Sequence, residues 1–391
     1  MWKKIAQDHQ TLIVDLRRQL HRIPEIGNQE FKTTALIRSF LETHHIPHRM
    51  LEGTGALADI PGRTPGAVWA VRADIDALPI QEDTGLEFSS THPGVMHACG
   101  HDAHTAVALV LAKILNENRD RLPGHAKVIF QPNEEGTPTG SPMVIAQGVL
   151  ENPSVDAILG FHIDTSLDKG RIGIKKGLLT SYVYNFDIAI RGQGAHAARP
   201  QEGNDPIPVM AEMIMALQTI SSRFNDPNHP FVLTIGKVSS GTARNIIPDT
   251  AELSGTIRMA NTTRQDDIRQ RFYQIIEGLS ASYGVQTDIR FIESCPAVIN
   301  SDRLADQLAH HASHLFSPSG VVTLTLPSLG GDDFAFYLKN RQGLFFRLGV
   351  RDPEIQAIYP GHHPQFRLSE EGLFHALALY LQLIFNPETT G

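Results

Sequence analysis

Two cysteines, Cys99 and Cys295, are all that the 391 residues contain, so no disulfide framework can staple this chain. No apolar stretch reaches the roughly 20 residues needed to span a bilayer, and no Lys/Arg run forms a stripe that would track phosphates. Neither a membrane span nor a nucleic-acid partner is therefore expected. The net charge of −8 is spread along the chain and not gathered into a tail, and low-complexity tracts are lacking, which argues against disorder. The opening MWKKIAQDHQTLIVDLRRQLHRI scatters charge through an amphipathic helical pattern. It lacks the apolar centre of a secretion signal, so a cytoplasmic location is expected.

What is present is ordinary for a globular protein, with 41% hydrophobic and 19% charged residues. The length exceeds what one hydrophobic core usually supports, so two domains are expected. Histidine is plentiful: nineteen, against seven Tyr and two Trp. Most of these histidines must be surface or capping residues, since no single site needs so many.

Two helices should begin the chain, the second over about 28–45 with Phe31, Ala35, Ile37 and Phe40 on one face. GAVWAVRADI, AKVIFQ and DAILGF are short apolar runs of the kind that form buried parallel strands. A helix over about 102–117 separates the first two. Strand, helix, strand in this order indicates an α/β sheet with right-handed crossovers. From Tyr182 the pattern becomes βαββαβ, the order of a ferredoxin-like unit. Its strands are SYVYNFDIAIRG, FVLTIGKV, TAELSGTIRM and VQTDIRFI, with helices over about 205–223 and 263–283. The α/β pattern then resumes with a helix over about 302–315, the strand LFFRLGV and a helix over 369–385. The expected organisation is a discontinuous catalytic domain, 1–182 and 295–391, interrupted by a self-contained insert at 183–294.

HACGHDAHT and QPNEEG carry the densest chemistry. Cys99 and His101 stand two apart before a helix, a thiolate and an imidazole suited to zinc and its neighbours. Taken singly, Cys99 also reads as a small buried hydrophobe, and His101 and His104 as capping residues. Glu134 and Glu135 follow the strand AKVIFQ at its carboxyl end, where open α/β sheets place their ligands. Two adjacent carboxylates repel, so a cation is their natural neutraliser, and one can stay free to carry a proton. His162 follows DAILGF, and His362 and His363 lie in YPGHHPQF before the last helix. Several strand ends thus deliver His, Cys and Glu to one sheet edge.

HACGHDAHT, QPNEEG, GFHI and GHHPQF, in this order, resemble the aminoacylase, hippurate hydrolase and indoleacetyl-amino-acid hydrolase family of metallopeptidase-like amidohydrolases. DLRRQLHRIPEIGNQE, VRADIDALPI, GAHAARPQEGNDPI, NIIPDTAELSGTIR and GGDDFAFY extend the likeness over nearly the whole chain. The resemblance implies an α/β, mixed-sheet, zinc-peptidase-like catalytic domain with the ferredoxin-like insert as lid and dimerisation domain. It implies that Cys99, His101, Glu135, His162 and His362 bind two divalent ions, Cys99 shared between them and Glu134 the general base. His362 is preferred over His363 because the family motif is His-any-Pro. His104 and Asp102 would then support the ligands or cap the helix. Arg72, in VRADID, stands where the wider superfamily has the His of a His-any-Asp motif, which leaves Zn, Mn, Ni, Co and Fe all open.

In the insert, the resemblance makes His196 a donor to the substrate carbonyl oxygen, often reaching a neighbouring subunit. Asn245 and Arg258 are candidates to grip a substrate carboxylate, although Arg258 also reads as an exposed strand residue. The implied reaction is hydrolysis of an N-acyl amino acid to a carboxylate and a free amino acid, by a homodimer paired through the insert. A dipeptidase or carboxypeptidase activity, a metal-free Cys99 thiol hydrolase and a non-catalytic binder of acyl amino acids remain alternatives.

Overall fold

A computed structural model describes residues 1–386. It divides into two compact units, Met1–Leu179 with Val298–Leu326 and Asp333–Gly391, and Thr180–Ala297 with Pro327–Asp332. Residues 387–391 lie outside the described part. The insert thus begins and ends within three residues of the positions read from the sequence. Residues 327–332, expected with the catalytic part, group with the insert instead.

The first unit is built on a mixed sheet. From edge to edge, its strands are His48–Met50, Ala56–Pro61, Pro123–Gln131, Thr64–Asp74, Ala157–Asp168, Gln342–Arg351, Ile172–Ile174 and Val321–Thr323. The four central strands run parallel, flanked by antiparallel neighbours on either side. Their apolar runs are buried because helices cover them. The helix His101–Glu117 buries fourteen of its seventeen residues, which explains why its sequence shows no polar face. Among the described residues, no helix is long and apolar enough to cross a membrane.

Some expectations shift. The opening amphipathic stretch is two helices, Trp2–Asp8 and Gln10–His21, because the His9 ring binds Ile5 O at 2.8 Å and leaves the helical conformation. The next helix, Phe31–Thr43, buries Thr33, Ile37 and Leu41, four residues apart, while Phe31 and Ala35 are exposed. The closing helix starts at Leu373 and not at 369. Ser369 N–H is already donated to Val350 O, and the Glu370 carboxylate is taken by Arg17 and Arg18, so that segment is committed elsewhere.

The second unit has a four-stranded antiparallel sheet: Phe231–Ser240, Thr250–Met259, Tyr182–Arg191, Gln286–Cys295 in spatial order. This is the pairing that a βαββαβ chain adopts when each helix crosses back over the sheet. Its helices Pro206–Thr219 and Gln265–Tyr283 close a separate core around Phe186, Ile188, Met213 and Phe272.

Candidate metal centre

The carboxyl ends of the central strands of the first unit deliver the singled-out residues to one edge. Thr64–Asp74 ends on Asp74, and Pro123–Gln131 leads into Glu134 and Glu135. His162 does not follow its strand, as the sequence suggested, but lies inside Ala157–Asp168. That strand parts from Thr64–Asp74 after Leu159, while staying paired to Arg347 on its other side, so His162 still projects at the same edge. The HACGH turn fits beside it because Gly100 has φ +86°, and a Cβ there would sit 2.6 Å from Ile163 Cγ1. His362, also at positive φ (66°), is fastened to this turn by its own N–H, which donates to Ala98 O at 2.8 Å.

Among the donor groups that result, two are made wholly of the expected ligands. Cys99, His101 and His162 form one and Cys99, Glu135 and His362 the other, the donor atoms of each lying within 4.8 Å of one another. The sulfur belongs to both. Glu134 groups with His101 and Glu135 within the same span. The rings are aimed by their second nitrogens: His101 Nδ1 lies 3.0 Å from Asp76 O, and His162 Nδ1 lies 2.7 Å from Ile163 O. Each Nδ1 is therefore the protonated one, leaving the Nε2 lone pair for a cation. His162 Nε2 lies 3.3 Å from Cys99 Sγ, and His362 Nε2 lies 3.1 Å from Glu135 Oε1. His101 Nε2 is buried without a hydrogen-bond partner. An orphaned imidazole nitrogen beside a soft sulfur and a carboxylate is a donor set that fits divalent transition ions.

For Cys99 and His162 the electrostatics agree, whereas the carboxylates beside His101 and His362 raise those two rings and favour a positive charge there. Burial pushes the Cys99 thiol well up, so the thiolate form needs a cation beside it. Burial also holds His162 neutral, as a ligand must be. His104 is different. Its Nδ1 is 2.6 Å from Asp74 Oδ1 and its Nε2 accepts Ile163 N–H at 3.1 Å, so both nitrogens are occupied and it supports the site without joining it. Asp102 is bound by Arg17 Nε (2.9 Å) and His21 Nδ1 (2.7 Å) and accepts Ala103 N–H at the start of the helix. Burial alone would raise its carboxyl. Arg17 and His21 overcome that and hold it far below the usual range.

Sequence reasoning missed Asp76, whose carbonyl orients His101 and whose Oδ2 accepts Glu135 N–H at 3.0 Å. Its signal was within reach, in the quoted VRADID run. Arg72, by contrast, is spent on carboxylates: it is paired with Asp74 and Asp333.

In the second unit, His196 and Asn245 line one open cavity of about 630 Å³ together with Thr242 and Pro248. His196 is exposed, and its Nδ1 accepts Ala198 N–H at 3.0 Å, so the neutral ring carries its proton on Nε2 as a donor. Arg258 is half-buried and not the exposed strand residue of the alternative reading; its Nη1 donates to Leu329 O at 2.9 Å.

Comparison with known proteins extends the picture. Residues 70–386 match the model of peptidase family M20/M25/M40. The chain is 39% identical over 365 residues to N-acetyl-L-cysteine deacetylase of Bacillus subtilis, covering 93% of this chain and 85% of that one. It is 38% identical over 301 residues to N-acyl-L-amino acid amidohydrolase of Geobacillus stearothermophilus, covering 77% and 81%. The crystal structure of the Bacillus subtilis YXEP protein, described as a dinuclear metal binding peptidase from the M20 family, superposes with a TM-score of 0.83. It is 36% identical and covers 97% of this chain and 98% of that one. Match, identity and fold agree along most of the sequence: the chain belongs to peptidase family M20/M25/M40 and is a hydrolase.

Proposed function

We propose that this protein is a metal-dependent amidohydrolase that cleaves N-acyl amino acids, with acetyl, benzoyl or related acyl groups, to a carboxylate and a free amino acid. The observation that carries this reading is the sulfur common to two donor groups with a carboxylate, Glu134, beside them. Cys99, His101, Glu135, His162 and His362 are the residues that would hold two divalent ions, of the Zn, Mn, Ni, Co or Fe kind. Such ions, when bound, polarise a carbonyl and acidify water. The names of the deacetylase and amidohydrolase relatives support the substrate class.

The chain's own residues supply the rest. Glu134 takes a proton from the attacking water and delivers it to the leaving nitrogen, which departs as the neutral amine. His196 donates from Nε2 to the carbonyl oxygen as it gains charge, while Asn245 and Arg258 hold the substrate carboxylate. The metal-free thiol mechanism is disfavoured, since the Cys99 thiol is pushed up and not down. A homodimer formed through the insert fits its outer strand Phe231–Ser240, which exposes Val232 and Val238. The expected setting is the cytoplasm.

The test is Glu134→Gln, assayed by amine release from a panel of N-acyl amino acids. Metal content should persist while turnover collapses; an active variant removes the base from the mechanism. His196→Ala should slow turnover by on the order of a hundredfold with metal retained. Mixing it with Glu134→Gln in one dimer restores activity if the histidine acts across subunits.

A further inference from the structure

GGDDFAFY places a buried carboxylate where the reaction as written has no use for one. Asp333 is 2% exposed. Its Oδ1 accepts from Arg72 Nη2 at 2.5 Å. Its Oδ2 accepts Gln131 Nε2 at 2.7 Å, Ser141 N–H at 2.9 Å and the Thr139 hydroxyl, while its main-chain oxygen accepts Ser141 Oγ at 2.8 Å. All of these donors except Arg72 lie at the two ends of one segment, 131–141.

That segment carries Glu134 and Glu135 on a loop closed by Gly140 N–H donating to Asn133 O at 2.7 Å. Its outgoing side is fixed at two points: Asn133 N–H donates to Glu30 Oε1 at 2.9 Å, and Glu135 N–H to Asp76 Oδ2 at 3.0 Å. On the returning side, Thr139 and Ser141 are both held by Asp333, and the Thr139 hydroxyl also lies 3.2 Å from the Glu134 carbonyl oxygen. Arg72, in turn, is fixed between Asp74 and Asp333 and donates from Nε to Gln131 Oε1 at 2.9 Å. One buried cation thus sets Asp333 and, through it, the loop.

We propose that Asp333, oriented by Arg72, is a positioning residue that fixes the returning side of the 133–140 loop and with it the Glu134 carboxylate. Arg72 therefore acts as a buried clamp on that loop. The idea rests on Glu134 being the proton carrier. A proton carrier displaced by about 1 Å loses on the order of a hundredfold in rate, so the clamp should be visible in turnover and not in binding.

The test compares Asp333→Asn with the pair Thr139→Val and Thr139→Ser in the metal-loaded protein. An asparagine keeps the shape, but it cannot accept from Arg72 on one side and from three donors on the other. For Asp333→Asn we expect kcat to fall roughly a hundredfold, with KM within about threefold and metal content unchanged. Amide hydrogen exchange over 133–140 should accelerate while the central strands stay protected. Thr139→Val should lower kcat roughly tenfold and Thr139→Ser should restore it to within about twofold. The inference is overturned if exchange and kcat of Asp333→Asn match the wild type, if metal is lost along with activity, or if Ser is as impaired as Val. Should Asp333→Asn fail to fold, the Thr139 pair decides. If the wild type itself hydrolyses no N-acyl amino acid, the functional reading fails, while the exchange measurement still tests the clamp.

Discussion

Cys99→Ser perturbs the proposed centre at the point that its two ligand groups share. The sulfur belongs to both donor groups, so each loses one of its three donors at a single substitution, whereas His162→Ala and His362→Ala each injure one group. A serine hydroxyl takes nearly the same place, but it stays protonated at neutral pH and is a harder donor than a thiolate. Changing even an outer partner of a ligand costs about 10–100-fold in affinity, so loss of a ligand should cost at least about a hundredfold at each subsite. The assay is metal content per chain after exhaustive dialysis at a fixed free-metal concentration. We expect two ions for the wild type, one for His162→Ala, one for His362→Ala and none for Cys99→Ser. An ion at about 100 times its dissociation constant stabilises the fold by about 2.7 kcal/mol. A hundredfold loss at both subsites therefore removes about 5 kcal/mol of metal-linked stability. The melting temperature of Cys99→Ser should consequently respond to added metal only at concentrations about a hundredfold above those the wild type needs. Cys99→Ser that keeps both ions at wild-type affinity would refute the sharing, and one that keeps a single ion would assign the sulfur to one subsite.

Three further outcomes follow from the same structure. His104→Ala strips partners from Asp74 Oδ1 and Ile163 N–H, so it should cost about 2–4 kcal/mol in urea denaturation while metal content stays whole; metal loss with intact stability contradicts its supporting role. Glu82 is opposed by burial, yet His21 and Thr84 hold its carboxyl at about 2, below its usual 4.5. The unfolded chain thus takes up a proton there before the folded one does, so its stabilising contribution is complete above about pH 4.5 and lost as pH falls towards 2. Glu82→Gln should flatten stability against pH in that window, and unchanged slopes would contradict the pairing. In the insert, Phe272→Ala should cost about 3–5 kcal/mol, because its ring is fully buried between the sheet and its own helix, whereas Met215→Ala, 71% exposed, should stay within about 0.5 kcal/mol. Equal effects would mean that the insert core is not where the sheet and helices place it.

Much of the fold was legible because its signals are local. The apolar runs of the central strands, the period of two in the insert and the βαββαβ order each follow from neighbouring residues, and the observed insert sheet has the pairing that this order dictates. Helix ends were less legible. His9 interrupts the first helix through its own ring, and Glu370 defers the last one because two arginines far away in sequence claim it. His162 was misplaced relative to its strand for a similar reason: a sequence shows where an apolar run stops, not where one neighbouring strand departs while another continues.

For the site, the sequence by itself determined which side chains are chemically able to bind a cation or carry a proton, since thiol, imidazole and paired carboxylates are fixed by residue type and order. Only the tertiary structure decided how they divide: that the sulfur joins two groups, that His104 has no nitrogen to spare, that Asp76 aims His101 and that Arg72 grips carboxylates. The physical reason is that a lone pair or a buried charge acquires its role from the partner opposite it. Those partners come from strand ends and loops that are remote in the chain and meet only when the sheet forms.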